Sequence, residues 1–173
     1  MRENWRETVS NWVLKGLPLF VSVLWIMLLF IPLRSDIGAN ARPLVGVMCV
    51  YFWAVYRPDL FNVWSVFILG VVSDILSVSP MGFYLFLYLV MFVLVTHLAK
   101  YITEKNFEIL WVGLMLLMPI VLFCGWLVIS VYYTQFLPIK AVFFSYLLSV
   151  ALYPVVGGIN ALVVNSCLQD DNL

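Results

Sequence analysis

A single carboxylate stands inside an apolar run. Residues 57–84 read RPDLFNVWSVFILGVVSDILSVSPMGFY. The stretch opens on Arg57-Pro58-Asp59, has Gly70 midway, carries Asp74 within its apolar part and ends on the turn Ser79-Pro80-Met81-Gly82. It is long enough to enter a bilayer, and a charge at that depth costs about 2.5–3.5 kcal/mol on insertion scales. Whatever fold the chain adopts must therefore give Asp74 a polar partner or a route to water.

The remainder of the chain shares this character. Of its 173 residues 65% are hydrophobic and 10% charged. Soluble domains run at about 45–50% and about 25%. The chain reads as an all-α integral membrane protein, because its continuous apolar runs lack the alternation of membrane β-strands. The formal net charge is zero, with no basic tract for nucleic acid. Cys49, Cys124 and Cys167 lie far apart with no CxxC or histidine pairing, which implies neither a disulfide framework nor a metal site. Arg2, Arg6 and Lys15 ahead of an apolar run resemble a signal peptide, but Ala39-Asn40-Ala41 lies past Arg34 and Asp36 and the run is as long as a spanning helix. An uncleaved first helix is expected.

Crossing a bilayer takes about 20 apolar residues. The pattern predicts helices over 16–33, 43–57, 59–77, 82–101, 107–133 and 140–166. The domain plan is an interfacial segment over 1–15, where Trp5 and Trp12 alternate with Arg6 and Lys15, a six-helix membrane domain over 16–166 and a tail over 167–173. Pro58 biases Arg57 away from the helical region, so a surface turn separates the second and third helices. The turn at 79–82 does the same for the third and fourth. Arg2, Arg6, Lys15, Arg57, Lys100 and Lys105 outnumber Arg34, Arg42 and Lys140 on the other side, which predicts cytoplasmic termini. Trp5, Trp12, Trp25, Trp53, Trp64, Trp111 and Trp126 are spread over the chain and Tyr101, Tyr132 and Tyr133 sit near helix ends; most of these aromatics read as interfacial belt residues. Pro119 and Pro154 sit inside the two long helices, where tilts or kinks are expected. Gly157, Gly158 and Ala161 offer a flat face for close packing, and Asn160 a hydrogen bond across helices.

Asp74 shares a helix face with Gly70 and is flanked by Ser73 and Ser77. Two readings stand side by side: a buried acid paired with Arg42 or Arg34, and a carboxylate reaching the outer headgroups. Catalysis has no support. Asp36 is the other outward acid, His97 lies on the opposite side, and no GxSxG, HExxH or paired-aspartate motif is present. No catalytic, metal or cofactor residues are assigned.

Residues 42–90 carry a resemblance. Arg42-Pro43 opens a helix, Tyr51-Phe52-Trp53 precedes the turn with Pro58, and Trp64 leads to Leu69-Gly70-Val71-Val72-Ser73-Asp74-Ile75-Leu76 and then Pro80-Met81-Gly82. This resembles the rod shape-determining protein MreD family, with Val71-Val72-Ser73 departing from its usual leucines. The resemblance implies a non-enzymatic scaffold in the bacterial inner membrane, with no cofactor. Its implied partners are an MreC-like single-span protein and, through it, an MreB-like cytoskeleton and a RodA–PBP2-type peptidoglycan synthase. It also implies a fold similar to the substrate-binding subunit of energy-coupling-factor transporters, and a structural or partner-related motif of Arg42, Pro43, Pro58, Trp64, Gly70, Asp74 and Gly82. The alternative class is a small-molecule-binding transporter subunit with Asp74 and Arg42 in an outward pocket.

Overall fold

The computed structural model describes residues 16–28, 43–77, 79–98, 106–134 and 139–167, with side chains described as far as Val164 in the last segment. The expectations for 1–15, for Arg34 and Arg42, for Lys100 and Lys105 and for the tail fall outside the described residues. Among the described residues there are six α-helices: α1 (Gly16–Leu28), α2 (Val45–Tyr56), α3 (Val63–Leu76), α4 (Phe83–Leu98), α5 (Phe107–Tyr133) and α6 (Ile139–Cys167). By length and composition α5 and α6 suffice to cross a membrane, whereas α1 to α4 are shorter apolar helices.

Helix α2 organises the bundle. Every residue from Val45 to Val55 is buried, and the helix touches α3, α4, α5 and α6. A helix that is apolar all round belongs in a core, not at a boundary. Its 12 residues extend about 18 Å. Trp53 is 0% exposed and is a core residue, outside the belt expected of most aromatics. Trp25 and Trp111 also turn inward, donating to Asn160 Oδ1 at 3.2 Å and to the Val150 carbonyl at 3.1 Å.

Helix ends depart from the sequence expectation where turns absorb residues. Arg57 leaves the helical region ahead of Pro58, with φ −139° and ψ 70°. The amides of Leu60 and Phe61 then return to the Arg57 carbonyl at 3.1 and 3.2 Å. Asn62 is extended at the N-cap of α3. The third helix therefore begins at Val63 and not at 59. Arg57 and Asp59 form an exposed ion pair at 3.2 Å across this turn, a geometry that contributes little stability. The fifth helix occupies its expected span.

Polar side chains tie the helices together. Ser149 of α6 accepts from the Leu44 amide at the start of α2, at 3.1 Å. Tyr51 of α2 donates to the Leu110 carbonyl of α5 at 2.8 Å, and its hydroxyl lies where a Cβ at Gly113 would project. Phe107 stacks on Tyr153, with centroids 6.1 Å apart, beside Gly157, where an added Cβ would come within 3.5 Å of the Phe107 ring. Gly158 has nothing within 4 Å of such a Cβ, so of the expected flat face Gly157 is the glycine in close contact.

Candidate functional site

The third and fourth helices form the tightest pair in the bundle, and Asp74 joins them. Val66, Leu69, Gly70, Ser73 and Asp74 are the buried residues of α3. Their spacing of three and four places them on one face, and that face meets α4. The approach depends on Gly70. A Cβ there would lie 2.6 Å from Leu85 Cα and 2.7 Å from Leu85 Cδ1.

One turn beyond Gly70, the Asp74 side chain reaches the start of α4. It is 7% exposed. Its Oδ1 accepts from the Tyr84 amide at 2.8 Å, and its Oδ2 accepts from the amides of Gly82 at 3.0 Å and Leu85 at 3.3 Å. The first turn of a helix has four amides without intrahelical partners. Here the Phe83 amide donates to the Pro80 carbonyl and the Phe86 amide to the Gly82 carbonyl. Asp74 takes the two between them. It thus acts as an N-terminal cap supplied by the neighbouring helix, a negative charge at the positive end of the α4 dipole. Gly82, with φ +92°, lets the chain enter α4 at the angle this cap requires. Ser77 closes the end of α3, its amide donating to the Ser73 carbonyl and its hydroxyl to the Asp74 carbonyl.

A second polar contact lies beside the cap. The Ser73 hydroxyl donates to the Leu69 carbonyl at 2.9 Å. It therefore accepts from the Tyr88 hydroxyl, 2.8 Å away. Tyr88 is 1% exposed and its phenol end sits where a Cβ on Gly46 of α2 would project. Gly46, Ser73 and Tyr88 thereby join α2, α3 and α4.

The motif residues divide between the two ends of α3. Gly70, Asp74 and Gly82 come together at one end. Pro58 and Trp64 lie at the other, where Trp64 is ten residues from Asp74, or about 15 Å along the helix. There Pro58, Phe61, Asn62, Trp64, Phe92 and Thr96 border an open groove of about 390 Å³, with Trp64 itself 78% exposed. Pro43 is half-buried just ahead of α2. The expected Asp74–Arg42 pair lies outside the described residues. Between the two readings of Asp74, burial favours the inward-facing acid. Its partners are backbone amides, which no search for basic side chains would find. Among the described residues no group of three or more His, Cys, Asp or Glu is placed to hold a metal ion.

Compared with known families, residues 8–160 match that of the rod shape-determining protein MreD. The chain belongs to the MreD family. Comparison with curated proteins and with solved structures finds no match. MreD proteins are shape-determining structural membrane proteins and not a known enzyme family, and they belong to the rod-shape complex together with MreC. The match takes in the turn at Pro58, the Gly70–Asp74–Gly82 cap and all of α2 to α5.

Proposed function

We propose that the chain is a non-enzymatic scaffold subunit of the bacterial rod-shape complex. In this reading it crosses the inner membrane six times with both termini in the cytoplasm. It binds an MreC-like single-span protein in the plane of the membrane. Through that partner it helps organise lateral peptidoglycan synthesis with an MreB-like cytoskeleton and a RodA–PBP2-type synthase. The observation that carries the reading is the family match over residues 8–160. Two features support it. The buried acid at Asp74 has both oxygens engaged by amides of α4. The outer faces of the helices are apolar, with Trp64, Val131 and Phe143 among the exposed side chains. In this reading Arg42, Pro43, Pro58, Trp64, Gly70, Asp74 and Gly82 shape the α2–α4 set that the partner meets, and the six helices share the fold of energy-coupling-factor substrate-binding subunits without their ligand.

The test is to solubilise the tagged protein from its native membrane and identify what accompanies it. A single-span wall-elongation protein in stoichiometric amount is the expected companion. An ATPase pair with a bound vitamin would overturn the scaffold in favour of a transporter subunit.

A further inference from the structure

The two long helices carry one internal proline each, Pro119 in α5 and Pro154 in α6. Proline has no amide to donate, so the carbonyl four residues earlier loses its helical partner. Those carbonyls belong to Met115 and Val150. In hydrocarbon, where water cannot replace the lost donor, such a group must be met from within the protein. Each is met by the other helix. Tyr146 of α6 donates its hydroxyl to the Met115 carbonyl at 3.3 Å. Trp111 of α5 donates its indole N–H to the Val150 carbonyl at 3.1 Å.

The spacing is the same in both helices. In α5 it runs Trp111, Met115, Pro119, and in α6 Tyr146, Val150, Pro154. Each helix has an aromatic donor, an acceptor four residues on and a proline four residues beyond that. All three therefore lie close to one face. Two antiparallel helices with this pattern can exchange both bonds at once, each supplying what the other lacks. We propose that these six residues form a reciprocal lock, a local two-fold exchange that fixes the register of α5 against α6 and satisfies both carbonyls the prolines leave over.

The geometry sets how strict the lock is. A slip of α6 by one turn moves its groups about 5.4 Å along the axis. Neither bond can stretch that far, so both break together. The prolines then have a positive role. They create two acceptors that, together with the Phe107–Tyr153 stack, specify the register. The lock goes beyond the scaffold reading and does not depend on it, because its test reads the stability of the chain alone.

The experiment is a pair of substitution cycles on the full chain in detergent or nanodiscs, read as the thermal unfolding midpoint. Trp111→Phe and Tyr146→Phe should each lower the midpoint by about 2–4 °C. The double variant should lose clearly less than the sum, because once one bond is gone the register no longer holds the other. In a Pro154→Ala background the Ala amide meets the Val150 carbonyl, and most of the Trp111→Phe loss should vanish. Strict additivity of the two aromatic variants would overturn the lock. So would an undiminished Trp111→Phe loss in Pro154→Ala. If Pro154→Ala does not fold, the Trp111/Tyr146 cycle alone decides.

Discussion

The carboxylate of Asp74 and the amide of Tyr84 stand 2.8 Å apart, so an acid near the end of α3 is the cap of α4. A capping residue ordinarily belongs to the helix it caps. Here the cap comes from the previous helix, which turns a local device into a tertiary clamp. Breaking it releases a helix end and a helix pair together.

The first prediction concerns this clamp. Asp74→Ala leaves the amides of Tyr84 and Leu85 without acceptors and should cost about 3 kcal/mol or more, beyond the usual value of a single neutral hydrogen bond. Asp74→Asn keeps one oxygen but turns an NH₂ group towards amides that are themselves donors. It should cost about 2 kcal/mol, roughly 4–8 °C in the unfolding midpoint for a chain of this size. Asp74→Glu should not rescue, because the burial that excludes water also leaves no room for a longer arm. Thermal scans of the purified variants decide it. An Asp74→Ala protein as stable as the parent would show that the clamp contributes nothing.

Gly70 and Gly82 lie on either side of that clamp for different reasons, and substitution separates them. Gly70→Ala puts a methyl 2.6 Å from the Leu85 backbone. The helices must part, at about 1–3 kcal/mol. At Gly82 a Cβ would meet nothing within 4 Å, yet φ is +92°. The cost of Gly82→Ala is therefore conformational, about 1–2 kcal/mol, and Gly82→Asn should cost less than Gly82→Ala because Asn accepts positive φ more readily. At Gly70 the order reverses, since the larger side chain clashes more. Unfolding midpoints of the four variants test both orders, and Asn costing more than Ala at Gly82 would remove the backbone argument.

How far the fold could be read from sequence follows from what sequence encodes. Apolar runs gave the helices, and Pro58 and the 79–82 turn placed the hairpins. The motif Gly70–Asp74–Gly82 was visible as a group because glycines and an acid are rare in such a run. The partner of Asp74 was not visible. Every residue carries an amide, so sequence alone does not say which amides are left over at a helix start. The central place of α2 was hidden for a related reason: a segment apolar at every position has no periodicity to separate an inner from an outer face. Nothing in such a segment marks Trp53 as a core residue and not a belt one. The spacing of Trp111, Met115 and Pro119, repeated at Tyr146, Val150 and Pro154, was present in the sequence but acquires meaning once the two helices are known to pack antiparallel.

The junction of Gly46, Tyr88 and Ser73 gives a third prediction. A methyl at Gly46 would fall on the phenol end of Tyr88, whose ring is enclosed at 1% exposure. Gly46→Ala should therefore be severe, about 2–3 kcal/mol, while Tyr88→Phe alone should cost about 0.5–1.5 kcal/mol for the lost bond to Ser73. Tyr88→Leu removes the ring from that space. In the double variant Gly46→Ala/Tyr88→Leu the new methyl should occupy part of it, so the combined loss should fall well below the sum. Additive losses would place the strain elsewhere.

The last prediction is at the seat of α1. Trp25 donates to Asn160 Oδ1 at 3.2 Å, Asn160 is 0% exposed, and its Nδ2 meets no hydrogen-bond partner among the described residues. Cys49 lies between Asn160 and Ser22, and the Ser22 hydroxyl donates to the Pro18 carbonyl at 2.7 Å. The asparagine thus makes one good bond across helices and buries one idle donor. Cross-helix hydrogen bonds in membranes average about 0.6 kcal/mol, whereas an unmet buried donor costs about 1–3 kcal/mol. The second effect is the larger. Asn160→Leu, which removes the idle donor but strands the Trp25 indole N–H, should be close to neutral. Trp25→Phe removes a donor and leaves Asn160 with no partner for either polar atom, and should destabilise by about 1–2 kcal/mol. Joining the two removes every stranded group, so Trp25→Phe/Asn160→Leu should be at least as stable as Trp25→Phe alone and should approach or exceed the parent. Unfolding midpoints of the three variants check this order. A double variant less stable than both singles would mean that Asn160 holds α1 in place through a net favourable contact, and that polar bonding outweighs apolar packing at this seat.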